Sequence, residues 1–184
     1  LADCRVRLAC DADPTRLKHI QGVYPHLEVT EAYQTLLDDD DIDAVAVATP
    51  VWTHHELAKA ALAAGKHVMI EKPMASTSAQ CRELIDMAAE KHLTLMVGHT
   101  YIYSSTIRKI KEIVDSGDIG ELLYISSQRL NLGLFQKDIN VAWDLAPHDI
   151  SIMLYVTGAA PTAVNCQGKS HINPGVEDVT NMSL

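Results

Sequence analysis

Three groups of reactive side chains stand where a folded chain could use them. Glu71-Lys72-Pro73 closes the short apolar segment Val68–Ile70, and Thr49-Pro50, with His54-His55 just beyond, closes Ala44–Ala48. The third group is Trp143-Asp144-Leu145-Ala146-Pro147-His148, which contains an Asp-x-x-x-His pair. An ammonium stabilises negative charge developing on an oxygen. An imidazole takes or returns a proton near neutral pH, and a carboxylate can orient that ring or hold a neighbouring hydroxyl. Acid–base work at an oxygen is the chemistry such a set could do. Each member also has a plainer reading: a lysine at a strand end is most often a solvated charge, Asp144 can cap a helix, and a lone histidine is more often structural. His54 and His55 invite a metal pair, but adjacent helical residues point in different directions. The spacing predicts one histidine lining a cleft and one in solvent, and no metal site.

The elements that must position these groups follow from the pattern. Ala44–Pro73 reads strand, helix, strand, a βαβ unit that implies a parallel sheet covered on both faces. Ligands collect at the carboxyl ends of such strands, where Thr49-Pro50 and Glu71-Lys72-Pro73 fall. Thr53 with Glu56 predicts a capping box for the helix, Leu57, Ala60, Ala61 and Ala64 its buried stripe, and Gly65 its end. Upstream, Arg5–Cys10 and Leu27–Thr30 read as strands, with helices from Thr15 to Val23 and from Glu31 to Leu37. Asp38–Asp41 lacks the alternation and glycine of a calcium loop and reads as a solvated turn. Downstream, Thr77 and Gln80 predict a second capping box, with Cys81, Leu84, Ile85, Ala88 and Ala89 as the buried stripe. Leu93–Val97 is the next strand, and Ile107, Ile110, Ile113 and Val114 mark a helix ending near Gly117. The rhythm then changes. Leu122–Leu130 alternates like a strand with one wet face, a loop runs from Asn131 to Val141, and a helix is expected from Pro147 to Val156. Thr162–Gly168 and Asp178–Leu184 read as strands. The domain boundary is placed at Gly117–Gly120, giving domains of 1–118 and 119–184.

A chain of 184 residues with a net charge of −9 and no basic cluster argues against nucleic acid or an anionic membrane as partner. No apolar run approaches the roughly 18 residues that span a bilayer. The four scattered cysteines have neither metal-type nor redox-type pairing, so reduced buried thiols in a cytoplasmic protein are expected.

Taken in order, Thr49-Pro50, His54, Glu71-Lys72-Pro73, Val97-Gly98-His99 and Asp144-x-x-x-His148 resemble the glucose–fructose oxidoreductase / inositol dehydrogenase (Gfo/Idh/MocA) family. The resemblance implies an α/β fold: a doubly wound, parallel Rossmann domain followed by an α/β substrate domain with an open, mainly antiparallel sheet. It implies NAD as cofactor, a sugar, cyclitol or nucleotide-sugar as substrate, and a homo-oligomer when full length. Lys72 matches the lysine that hydrogen-bonds the reacting oxygen, with Asp144 and His148 facing it across one crevice. Asp11, Thr49, Pro50, His54, Glu71, Lys72, His99 and Trp143 match the cofactor-lining positions, and the Lys72–Pro73 bond is expected to be cis. A carboxylate at Asp11 accepts bonds from ribose hydroxyls and repels a 2′-phosphate, which favours NAD; Arg16 nearby keeps NADP open. Arg129 and Asn131 have a cleft-facing reading and an equal strand-face one.

The chain departs from the family at three places. It lacks the Gly-rich turn and the first Rossmann strand, it has Ala146 where the family often has glycine, and it has Ser151, with Asp149 adjacent, where a further acid commonly follows the histidine. The first departure predicts a gap between Arg5–Cys10 and Ala44–Ala48, and a chain that is a fragment. A dinucleotide-binding regulator without catalysis is the competing reading. A glycoside-cleaving enzyme that uses NAD transiently is another, with Tyr101 and Tyr103 close to the site.

Overall fold

Alternation along the strands and helical stripes between them decide the architecture of the first half. The computed structural model describes residues 4–130, 133, 135–137 and 139–184. Two compact units emerge, Leu1–Val97 and Gly98–Leu184. The division falls ahead of Gly117–Gly120, because the helix that ends at Gly117 packs onto the elements that follow it.

The first unit runs β1 (Leu8–Cys10), α1 (Pro14–Val23), β2 (Glu28–Thr30), α2 (Gln34–Asp38), β3 (Ala44–Val47), α3 (Val51–Ala63), β4 (His67–Ile70), α4 (Ser78–Glu90) and β5 (Leu95–Val97). Its strands form two parallel sheets, β1–β2 and β3–β4–β5. Among the described residues β1 and β3 do not pair, so each keeps one open ladder edge, where the sequence predicted a gap. Val45 stands opposite Val68 and Val47 opposite Ile70. These four are buried, and they pack on Ala58, Ala61 and Leu62 of α3 and Leu84 and Ala88 of α4. Fully burying such an aliphatic side chain is worth about 1.5–3 kcal/mol, so this layer holds the strand ends in register.

The expectation of a sheet covered on both faces needs correction. β3 and β4 alternate buried with exposed residues. Successive right-handed crossovers running the same way along a sheet put their helices on the same face, and α3 and α4 both lie there. The buried stripe of α3 is also shifted, to His54, His55, Ala58, Ala61 and Leu62. Thr53 is not its cap: the helix starts at Val51 with Pro50 at the N-cap, and Thr53 bonds the Pro50 carbonyl from inside the first turn at 2.7 Å. The α4 capping box is present in both halves, from Gln80 N to Thr77 Oγ1 at 3.2 Å and from Thr77 N to Gln80 Oε1 at 3.1 Å. Its stripe is narrower than expected, with Leu84 and Ala88 buried while Ile85 and Ala89 are exposed. Asp39 is drawn into structure by the Arg7 guanidinium at 3.1 Å, and its carbonyl accepts the buried Lys66 ammonium at 2.7 Å.

The second unit holds a short 3-10 helix (Thr100–Tyr103), α5 (Ser105–Ser116), α6 (Val141–Thr157), and the antiparallel pair β6 (Asn165–Lys169) and β7 (Val179–Ser183). α5 ends as predicted, with Gly117 at φ 76, the left-handed conformation that glycine adopts without cost. α6 begins six residues before the expected Pro147. Asn140 caps it, its side-chain oxygen accepting the Trp143 amide at 3.0 Å, and Pro147 lies inside. Leu122–Leu130 pairs with no strand among the described residues; Leu123, Tyr124 and Leu130 are more than 80% exposed. Alternation supplies a face but not a ladder partner, and β6 and β7 satisfy each other. Asn131 lies outside the described residues. The cysteines are free thiols, and Cys4 and Cys166 are exposed, not buried as expected.

Candidate active site

The carboxyl ends of β3 and β4 bring together Thr49, Pro50, His54, Glu71 and Lys72. The Glu71 amide continues the ladder by donating to the Val47 carbonyl at 2.9 Å. The Lys72 amide donates to Glu71 Oε2 at 3.2 Å, and both side chains are half-buried. The Lys72–Pro73 bond is cis, as the resemblance implied.

His54 joins the two turns. It is 2% exposed, with Nδ1 2.9 Å from the Pro73 carbonyl and Nε2 2.7 Å from the Thr49 carbonyl. Thr49 Oγ1 lies 2.6 Å from Thr53 Oγ1, tying the same turn to α3. Both ring nitrogens face backbone oxygens, so His54 acts on any ligand through the turns it holds. His55 is buried too, which overturns the expectation of a solvated neighbour. Its Nδ1 is 2.9 Å from Glu56 Oε1 and its Nε2 2.8 Å from Glu83 Oε2, while Lys59 reaches Glu83 Oε1 at 2.6 Å. Those hydrogen bonds, from Lys59 first and then His55, hold the Glu83 carboxyl below its ordinary pKa. The cluster ties α3 to α4, and no metal-binding group of His, Cys, Asp or Glu occurs among the described residues.

Asp11 ends β1. Its Oδ1 accepts the Asp13 amide at 2.8 Å, and its Oδ2 lies 3.5 Å from Arg16 Nη1. Arg16 Nε is also 3.7 Å from Asp13 Oδ2, so the arginine that kept NADP open sits against two carboxylates.

In the second unit Asp144 and His148 both lie on α6, four residues apart and therefore on one helical face. Asp144 is also the acid of the first turn, where the helix dipole favours a carboxylate. It lines a pocket with Asn173 and Glu177. Trp143 is nearly half exposed at 45%, and His99 directly precedes the 3-10 helix. The ring of His148 meets Tyr101 edge-on, centroids 4.8 Å apart at 71°.

Asp149, which the sequence offered as the displaced acid, is committed elsewhere. Arg129 Nε and Nη2 bind its two oxygens at 2.9 and 3.3 Å, and Ser127 Oγ donates to Oδ1 at 2.8 Å. Burial pushes this carboxyl up, but the bonds from Arg129 and Ser127, with the charges of Arg129 and His148, pull it below its ordinary value. Arg129 also stacks its guanidinium over Tyr101 at 5.2 Å. Sequence reasoning missed the Tyr101–Arg129–Asp149 association because its members are 20 or more residues apart with no local spacing to join them.

Comparison with known proteins agrees with the resemblance. The sequence pattern of the oxidoreductase family with an NAD-binding Rossmann fold matches residues 2–99, and that of the GFO/IDH/MocA C-terminal domain matches residues 107–184. UDP-N-acetylglucosamine 3-dehydrogenase of Acidithiobacillus ferrooxidans is 33% identical over 76% of this chain and 44% of its own length. The oxidoreductase YvaA of Bacillus subtilis superposes with a TM-score of 0.87 at 26% identity, over 100% of this chain and 54% of that one. Scyllo-inositol dehydrogenase of Lactobacillus casei, solved with NAD(H) and scyllo-inositol, shares the fold with a TM-score of 0.79 at 21% identity, over 97% of this chain and 57% of its own. The chain spans about half the length of the curated relatives it matches.

Proposed function

The chain belongs to the Gfo/Idh/MocA oxidoreductase family, and from that premise we propose that the whole protein moves a hydride between NAD and a secondary hydroxyl of a sugar, cyclitol or nucleotide-sugar. The observation that carries this reading is Lys72, half-buried at the carboxyl end of β4, on a turn that His54 ties to the end of β3.

The strand ends suit a dinucleotide. Asp11 offers a carboxylate oxygen at the end of β1, and the exposed Thr49-Pro50 turn and Glu71 stand at the next two strand ends in the second sheet. When bound, nicotinamide supplies the two-electron acceptor for carbinol oxidation. Lys72 Nζ donates to the substrate oxygen and stabilises the charge that grows there as its proton leaves. An imidazole nitrogen of His148 takes that proton, and Asp144 orients the ring or holds a neighbouring hydroxyl. Trp143 and His99 complete the cofactor-lining set. The location is proposed as cytoplasmic and the whole protein as a homo-oligomer. Among the described residues no helix is long and apolar enough to cross a membrane.

The test is absorbance of reduced nicotinamide with a panel of polyols and nucleotide-sugars on the whole protein. Lys72→Met and His148→Asn are each expected to lower kcat by about 10²-fold or more while NAD still binds. Firm NAD binding without turnover of any polyol would instead favour a dinucleotide-sensing regulator.

A further inference from the structure

We propose that Tyr101 is a positioning residue for the His148 imidazole, and that Arg129, locked to Asp149, holds Tyr101 in place. The inference rests on the reading of His148 as proton acceptor and adds to it the groups that aim the ring.

The torsion that turns a histidine ring about its Cβ–Cγ bond has broad, shallow wells. The backbone of α6 therefore fixes where His148 starts but not where its nitrogens point, and neighbours must supply the direction. Tyr101 is such a neighbour, edge-on at 4.8 Å. Tyr101 needs a support of its own, since it stands on a 3-10 helix of only four residues. Arg129 supplies it, with its guanidinium 5.2 Å from the ring centroid. An arginine on a segment outside helix and ladder would swing freely, but two hydrogen bonds fasten this one to Asp149. Asp149 is the residue after His148. The contacts thus form a closed circuit, from His148 to Tyr101, Arg129 and Asp149 and back to the same turn of α6. A circuit that begins and ends on adjacent residues of one helix sets the imidazole relative to that helix alone. Asp149 also neutralises the guanidinium, so the support brings no unbalanced positive charge to a ring that must accept a proton.

Proton transfer demands a nitrogen within hydrogen-bond reach of the reacting oxygen, and a misplacement on the order of 1 Å can cost about 10²-fold. In the whole protein, Tyr101→Ala is expected to lower kcat by about tenfold or more, with KM for the polyol and NAD affinity within about twofold of wild type. Tyr101→Phe keeps the edge-on ring but loses the hydroxyl's hydrogen bond with Arg129, and so restores part of that rate. Arg129→Gln gives an intermediate loss.

A second readout does not depend on turnover. With isotope-labelled histidine, and His148 assigned through His148→Asn, the His148 ring resonances should move in Tyr101→Ala and stay close to wild type in Tyr101→Phe. Unmoved resonances in Tyr101→Ala overturn the proposal. So do resonances that move while kcat stays within about twofold of wild type. If the wild-type protein reduces no nicotinamide, the dehydrogenase reading fails, and the histidine spectrum alone decides whether Tyr101 sets the ring.

Discussion

His54 places a buried imidazole between two backbone carbonyls, 2.7 Å from that of Thr49 and 2.9 Å from that of Pro73. A neutral imidazole carries one N–H and donates to one of these oxygens, and a hydrocarbon ring removes that donor. A buried acceptor stripped of its donor costs about 1–3 kcal/mol, so His54→Phe should lower the unfolding free energy of the whole protein by about that amount. Urea unfolding followed by circular dichroism measures it, and a loss below about 1 kcal/mol would show that the carbonyls find other donors. Asp149 gives a residue-scale prediction with a pH signature. Its folded-state pKa is depressed, net of burial, by Arg129 and Ser127. A depressed carboxylate contributes stability that is fully present above its unfolded pKa, about 3.9, and is lost as pH falls through the lower folded value. The stability difference between wild type and Asp149→Asn should therefore shrink as pH falls below the ordinary carboxylate range, while any change between neutral pH and that range reports the charge of His148. A difference that grows as pH falls below that range would contradict the assigned direction.

Elements whose signals are local were legible, and elements that depend on a partner were not. Thr77 and Gln80 announce α4 because a capping box is written in four consecutive residues. Gly117 and Gly158 announce the ends of α5 and α6 because a left-handed residue follows each. Removing such a signal has a local price: Thr77→Ala should destabilise the protein by about 1 kcal/mol, read as a lower urea midpoint at unchanged slope. The start of α6 was misplaced because proline is favoured in the first helical turn. Pro147 sits deeper, and Asn140 was the true cap. The strand read at Leu122–Leu130 failed for another reason, since alternation does not name a ladder partner. At the candidate site, the Thr49, Glu71 and Lys72 positions were readable from their places after apolar runs. The His54 bridge was not: a helix-start histidine gives no sign that two carbonyls, one 19 residues away, converge on it.

At the scale of the molecule, the division of the parallel strands into β1–β2 and β3–β4–β5 governs how the first unit resists unfolding. Buried or exposed, a strand edge without a ladder partner leaves backbone donors to water or to another chain. Among the described residues β4 alone has parallel neighbours on both sides, β3 and β5, and its Val68 and Ile70 are the most deeply buried strand residues. β1 is three residues long, half-buried, and among the described residues paired only with a β2 of equal length. Amide exchange opens segments according to their own local stability. In the 184-residue chain on its own, the amides of β4 should exchange slowest and those of β1 and β2 much faster, by about 10²-fold or more if opening differs by about 3 kcal/mol. The same chain has no Gly-rich turn to cradle a pyrophosphate at a helix N-terminus. NAD at millimolar concentration should therefore leave its exchange pattern and melting curve unchanged. Uniform slow exchange across all five strands, or a cooperative melt that NAD shifts upward, would show that β1 and β3 are joined in solution by contacts other than a shared ladder. The open edges would then carry no thermodynamic weight.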